Sequence, residues 1–358
     1  MIGATASPTV AIAGATGYAG GEMLRLLSAH PAVTLRTVTG HSSAGESLVT
    51  IAPHIDGAEQ LLIQETSAQH LAGHDVVVLA LPHGHSGRIA AELRAADPDV
   101  IVLDLAADHR LDSAQDWTDY YGSEHSGTWT YGMPELPLAD GTRQRDLLRD
   151  AREVAVPGCN ATAVSLAAAP LVRAGLIDAG ALNAVLPVGY SGAGRTPKPH
   201  LLFSEASHSA APYAVGGSHR HIPEILQNLR RAAGVDESRR LTFTPVLVPM
   251  SRGILAVLTA PVAAGTTTAD LLRAFQTDYE HEFFLRVLPE GQVPSTAQVL
   301  GSNTVRISAA VDRHSGQATV IAALDNLMKG TAGAAVQCMN LALGLEEMLG
   351  LTRTAMSP

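Results

Sequence analysis

Cysteine is scarce in this chain: Cys159 and Cys338 are the two among 358 residues, and they lie far apart in different local contexts. That scarcity excludes a disulfide framework and a zinc site built from paired cysteines. Aromatic residues make up only 4%, so the core must rest on aliphatic side chains, and the abundant alanine and glycine suit helices packed closely on sheets. No basic run occurs, and 24 Lys and Arg stand against 34 Asp and Glu for a net charge of −10. A nucleic acid or an anionic membrane surface would meet net repulsion, so the expected partner is a small molecule, and an anionic one must be held by local groups. Apolar runs such as Val76–Leu81 fall far short of the roughly 18–20 residues of a membrane span. The opening residues, Met1 to Thr9, have neither a basic start nor an extended apolar stretch. No signal peptide is expected, and a cytoplasmic protein is the default expectation.

What is present is a large apolar fraction, 46%, in a chain longer than the roughly 250–300 residues at which single cores stop growing. Two domains are expected. Thr9–Ala13 is a short apolar run entering a glycine-rich turn, and Glu22–Leu27 continues with helical periodicity, the pattern of strand, turn and helix. Asp75–Leu81 and Val100–Leu105 read as buried parallel strands around a helix at Ser86–Ala96, so the first half is expected to be a doubly wound, Rossmann-type parallel sheet. After about residue 160 the apolar runs Leu241–Val248, Ile254–Val262, Thr304–Val311 and Ala318–Leu324 predict a mostly antiparallel sheet. Helices are expected at Thr162–Ala174, His221–Ala233 and Ala269–Tyr279, giving an α+β second part. Thr331–Leu349 reads as a helix that packs back onto the first domain. Residues 1–158 with 326–358 are assigned to the nucleotide-binding domain, and 159–325 to a catalytic and oligomerisation domain.

Gly14, Gly17 and Gly20, with Thr16 and Tyr18 between them, stand at the first strand–helix junction, where backbone N–H groups and the helix dipole favour a pyrophosphate. At the end of the second expected strand, Leu35–Thr39, a carboxylate would hold the ribose 2′-hydroxyl of NAD. The segment Thr39–Gly45 contains none, which favours NADP, with Ser42, Ser43 and His41 available to a 2′-phosphate. Farther on, Val154–Val156 runs into Pro157-Gly158, and an alanine-rich helical segment starts directly after Cys159. A helix N-terminus is expected to lower the thiol pKa and to offer donors to an oxyanion. Cys338, inside an apolar helix, reads as core.

Pro157-Gly158-Cys159 with Ala161-Thr162, together with Gly14–Gly20, resembles the N-acetyl-γ-glutamyl-phosphate reductase family of arginine biosynthesis. Further matching segments in the same order are Ala80–Gly84, Asp104–Leu111, Tyr131–Leu136, Ser191–Arg195, His219–Ile225 and Asp325–Gly330. The sequence departs from the family at Asn160, where an aromatic residue is usual, and at His109, where Phe is frequent; the departure at Asn160 bears on the shape of the acyl pocket and not on the nucleophile. The resemblance implies a cysteine that carries a thioester, NADP held partly by Pro82 and by Asn326 near the nicotinamide amide, and a homodimer or homotetramer. It also implies proton transfer by histidine, with His219 the first candidate and His221 beside it at the substrate; spacing does not decide which faces Cys159. Arg110 and Arg195 are candidates for substrate anions, with Lys198, Arg220 and Arg252 nearby. The histidine pairs His83/His85 and His219/His221 lack a third ligand at a recognisable spacing, so no catalytic metal is expected. Aspartate-semialdehyde dehydrogenase, a relative acting on the longer aminoadipyl phosphate, and a non-enzymatic NADP-binding regulator remain as alternatives.

Overall fold

The computed structural model describes residues 7–234 and 240–356; most of Met1–Thr9, read above as lacking an export signal, lies outside them. The first sheet holds β1 (Thr9–Ala13), β2 (Thr34–Gly40), β3 (Ile63–Glu65), β4 (Val76–Leu79), β5 (Ile101–Asp104), β6 (Thr130–Tyr131) and β7 (Glu153–Ala155). Its order is β3-β2-β1-β4-β5-β7-β6, with every pair parallel. All four residues of β4 are buried, because helices cover both faces and leave no side of the strand for water. On one face, Val10, Ile12, Val76 and Val78 pack with Met23, Leu24 and Leu27 of helix Tyr18–Ser28. On the other, Ala11, Val77 and Val102 meet Ile89, Ala90 and Leu93 of helix Ser86–Ala96.

The C-terminal segment joins this first core. A π-helical turn, Met328–Ala332, leads into helix Gly333–Ala342, whose Val336, Cys338 and Met339 pack among the residues of β1, β4 and β5. The helix is shorter than the expected Thr331–Leu349, because Gly344 takes the left-handed conformation, φ 67, and the chain turns there.

The second sheet holds β8 (Leu182–Gly189), β9 (Ala211–Pro212), β10 (Leu241–Val248), β11 (Ile254–Pro261), β12 (Leu285–Val287), β13 (Val305–Asp312) and β14 (Gln317–Leu324). The order is β12-β13-β14-β11-β8-β10-β9. Four neighbouring pairs are antiparallel, and β8 with β10 and β12 with β13 are parallel. One face, including Ala184, Leu186, Phe243, Ala256 and Val320, is buried under helices Cys159–Arg173, His221–Ala233 and Thr268–Tyr279. Strand β8 was not foreseen, since Pro187 interrupts its apolar pattern; the strand nonetheless lies between β10 and β11, and its inward residues alternate correctly.

Candidate active site

A cleft of about 950 Å³ opens at the carboxyl edge of the first sheet and runs from the β1 turn to Cys159, the position where open parallel sheets bind ligands. At one end lies the turn Gly14–Gly20. Gly14 has φ +79, and a Cβ on it would lie 2.3 Å from the carbonyl oxygen of Ala80; a Cβ on Gly20 would lie 2.1 Å from that of Gly14. Those two glycines let the strand and helix backbones touch. Gly17 has room for a Cβ; it is the N-cap of helix Tyr18–Ser28, which no side chain caps, so the first-turn N–H groups remain available to an anion.

Thr16, Tyr18, Ser42, His41, Pro82 and Asn326 line the same cleft, whereas Ser43 does not. Asn326 is already engaged: its Oδ1 accepts from the Gly253 N–H at 2.7 Å and its Nδ2 donates to Ser191 Oγ at 2.9 Å. The end of β2 indeed carries no carboxylate, but Glu65 at the end of β3 reaches the cleft, as do Arg88 and His85 at the start of helix Ser86–Ala96. Sequence reading missed these three. Strand adjacency brings Glu65 beside β2, and no local signal in the chain encodes that pairing. The cleft thus presents Arg88, Arg110 and Arg195 with one carboxylate.

At the other end, Cys159 is the first residue of helix Cys159–Arg173, capped by Gly158 with no side-chain hydrogen bond. The helix start does not lower the thiol as expected. Burial pushes it up to about 11, overriding the opposing pull of the Asn160 N–H and the Arg110 charge. The free protein therefore holds a protonated thiol that must be ionised as it reacts. His221 lines the cleft with Cys159, and His219 does not; the two rings are 4.8 Å apart. The His221 N–H donates to Nδ1 of His219 at 3.1 Å, which leaves Nε2 of His219 to carry its proton. Burial lowers both imidazoles to about 3, so both are neutral near pH 7.

The arginines divide. Arg195 borders the cleft and donates to the Thr16 carbonyl oxygen at 2.8 Å. Arg110 is 5% exposed; its Nε donates to the Val156 carbonyl oxygen at 2.7 Å and its Nη2 to that of Leu105 at 2.8 Å. Backbone carbonyls thus hold the guanidinium in place at the lining of the cleft. Arg252 is paired with Glu22 and Asp325, and Arg220 lies over the Tyr121 ring at 5.0 Å. Lys198 lines a smaller adjoining cavity. Cys338 is buried and unavailable, as the apolar helix predicts.

Residues 9–141 match the family described as semialdehyde dehydrogenase, NAD binding domain, and residues 159–326 match semialdehyde dehydrogenase, dimerisation domain. The chain is 52% identical over 350 residues to the N-acetyl-gamma-glutamyl-phosphate reductase of Micrococcus luteus, covering 98% of this chain and 99% of that protein. The corresponding protein of Streptomyces avermitilis is 50% identical over 349 residues, with the same coverage. Among solved structures, aspartate semialdehyde dehydrogenase II of Vibrio cholerae superposes with a TM-score of 0.70 at 17% identity, over 95% of this chain and 99% of that one. Aspartate semialdehyde dehydrogenase of Candida albicans, solved with NADP, gives 0.67 at 15% identity, with the same coverage. At such identities the structures speak for the fold, whereas the sequence relatives decide the family. A parallel nucleotide-binding sheet, a mixed second sheet and this level of identity over nearly the whole length lead to one conclusion: the chain belongs to the N-acetyl-gamma-glutamyl-phosphate reductases, within the semialdehyde dehydrogenase family.

Proposed function

We propose that the protein reduces N-acetyl-γ-glutamyl phosphate to the semialdehyde and phosphate, with NADPH as hydride donor and Cys159 as covalent carrier. The observation that carries this reading is one cleft that holds both the uncapped glycine turn and a cysteine opening a helix. The Cys159 sulfur attacks the γ-carbonyl as its proton passes to a neutral imidazole of the His219–His221 pair. The carbon–oxygen bond to phosphate breaks, and a thioester remains. Hydride for that thioester carbon would come from NADPH held in the same cleft. The returned proton then attends collapse of the hemithioacetal, which releases the aldehyde and restores the thiol. Backbone N–H groups at the start of helix Cys159–Arg173 face the developing oxyanion.

The residues that would hold the cofactor fit it: Gly14, Thr16, Gly17, Tyr18 and Gly20 at the pyrophosphate, and Pro82 and Asn326 toward the nicotinamide. Ser42 borders the cleft at the adenosine end, and Ser43 follows it in the same loop. The missing carboxylate at the end of β2 favours NADPH over NADH, and Arg88 adds a cation against the single Glu65. The open face of the second sheet supports a homodimer or homotetramer. The test is phosphate-dependent NADP reduction with purified protein. N-acetylglutamate semialdehyde should be the substrate, Cys159→Ser should be inactive, and His219→Asn and His221→Asn should each lose about 10²–10⁴-fold in kcat. A lower KM for NADH than for NADPH would overturn the cofactor preference, and turnover confined to aspartate semialdehyde would reverse the assignment.

A further inference from the structure

We infer that Glu224 and Arg110 form a buried clamp that positions the nucleophile: together they grip the turn Val156–Gly158 so that Cys159 and the free amides behind it face the cleft. The inference rests on the reading of Cys159 as the nucleophile. Glu224 lies in the first turn of helix His221–Ala233 and is 1% exposed. Its Oε1 accepts from the Gly158 N–H at 2.8 Å and from the Tyr131 hydroxyl at 2.8 Å. Arg110 approaches the same turn through the Val156 carbonyl oxygen, and its Nη1 is 3.5 Å from Glu224 Oε2. That oxygen is buried without a hydrogen-bond partner. A carboxylate and a guanidinium thus hold the two ends of a three-residue turn, one through the Gly158 N–H and the other through the Val156 carbonyl.

Stability alone does not account for this arrangement, since a buried ion pair is often no better than apolar packing. Geometry does. By taking the N-cap amide of Gly158, Glu224 fixes the peptide plane from which the helix starts, and the next N–H groups stay free for sulfur or an oxyanion. The same turn seats His221, since a Cβ on Gly158 would lie 2.2 Å from His221 Nε2. Asn228, one turn along the helix, donates to the Tyr131 hydroxyl at 2.9 Å and to Ser165 Oγ at 3.0 Å, which ties the clamp to the helix that Cys159 opens. Arg110, Glu224, Tyr213 and His221 are the charged and titratable groups around the thiol.

Glu224→Gln and Glu224→Asp in the full-length protein test the clamp through two readouts: the pH profile of Cys159 labelling by iodoacetamide, and kcat against KM. Gln keeps the size but removes a negative charge beside the sulfur. Its labelling profile should move to lower pH while kcat falls on the order of 10²-fold and KM for the acyl phosphate stays within about threefold. Asp keeps the charge but shortens the reach, so the profile should stay and kcat should fall. Wild-type kcat and wild-type labelling in both variants, with Cys159→Ser inactive, would overturn the clamp alone. Turnover by Cys159→Ser would overturn the nucleophile reading beneath it.

Discussion

At the scale of single residues, the site works with groups that burial holds neutral. The thiol of Cys159 is pushed up to about 11, and His219 and His221 are brought down to about 3, so neither the nucleophile nor the two imidazoles carry charge at rest near pH 7. His83, whose Nδ1 accepts from the Ala107 N–H at 3.0 Å, is lowered to about 4 by burial and then by Arg110. The consequence for stability has a definite sign. An unfolded histidine titrates near 6.5, so below that pH the unfolded chain binds more protons than the folded one, and stability is lost progressively as pH falls from 6.5 toward 3–4. Calorimetry at pH 7, 6 and 5 should show a descending thermal midpoint. Replacing His219 and His221 together with Gln should flatten the descent, and an unchanged slope in that variant would remove these two rings from the account.

At the scale of elements, the open face of the second sheet is the clearest unmet requirement. Its inward residues are buried by helices, whereas Val185, Thr244, Val257 and Ile321 stand on the opposite face with partial exposure and pair across neighbouring strands. An apolar row in the middle of a sheet favours coverage by a second copy. Val257→Asp should therefore lower the sedimentation coefficient to that of a monomer, with far-ultraviolet circular dichroism retained. A variant that sediments as wild type would place the contact elsewhere. Elements were legible in the sequence where one periodicity ran uninterrupted: helices Ser86–Ala96 and His221–Ala233 and strand β10 lie where the pattern puts them. Strand β8 was hidden by Pro187, and β3, β6, β9 and β12, each two or three residues long, offer too few positions for alternation to register.

At the scale of the whole molecule, ionic contacts join parts far apart in the chain. Arg145, on helix Gln144–Leu148, holds both oxygens of Glu282 at 2.9 and 2.6 Å and meets Glu347 at 2.8 Å. Beside it, Lys329 Nζ, 1% exposed, contacts Glu135 at 2.6 Å and Gln337 at 2.7 Å. Burial opposes ionisation of Glu135, but Lys329 and the hydrogen bonds around it hold its carboxyl below the usual range. The pair steadies the π-helical turn whose Gly330 adjoins Cys159, where an added Cβ would come within 2.7 Å of the cysteine Cβ. Lys329→Met strands a buried carboxylate and should cost about 3–5 kcal/mol in urea unfolding, whereas Lys329→Met with Glu135→Leu should recover much of the loss. Simple additivity of the two single effects would mean that the pair is not coupled.

The sequence by itself determined the family, the parallel nucleotide-binding sheet and the location of Cys159 at the head of a helix, because these depend on residue identity and local spacing. Other features were settled only when distant segments met. The side chain that grips the Gly158 amide comes from the helix beginning at His221, and the acidic side chain of the cleft comes from the edge of β3. How much of an arginine's guanidinium is taken up by the protein's own backbone depends on which carbonyls lie within its reach, as at Arg110. The protonation of the thiol was likewise a tertiary decision. A helix N-terminus is a local feature that favours the thiolate, but the desolvation that outweighs it is imposed by everything packed around Cys159.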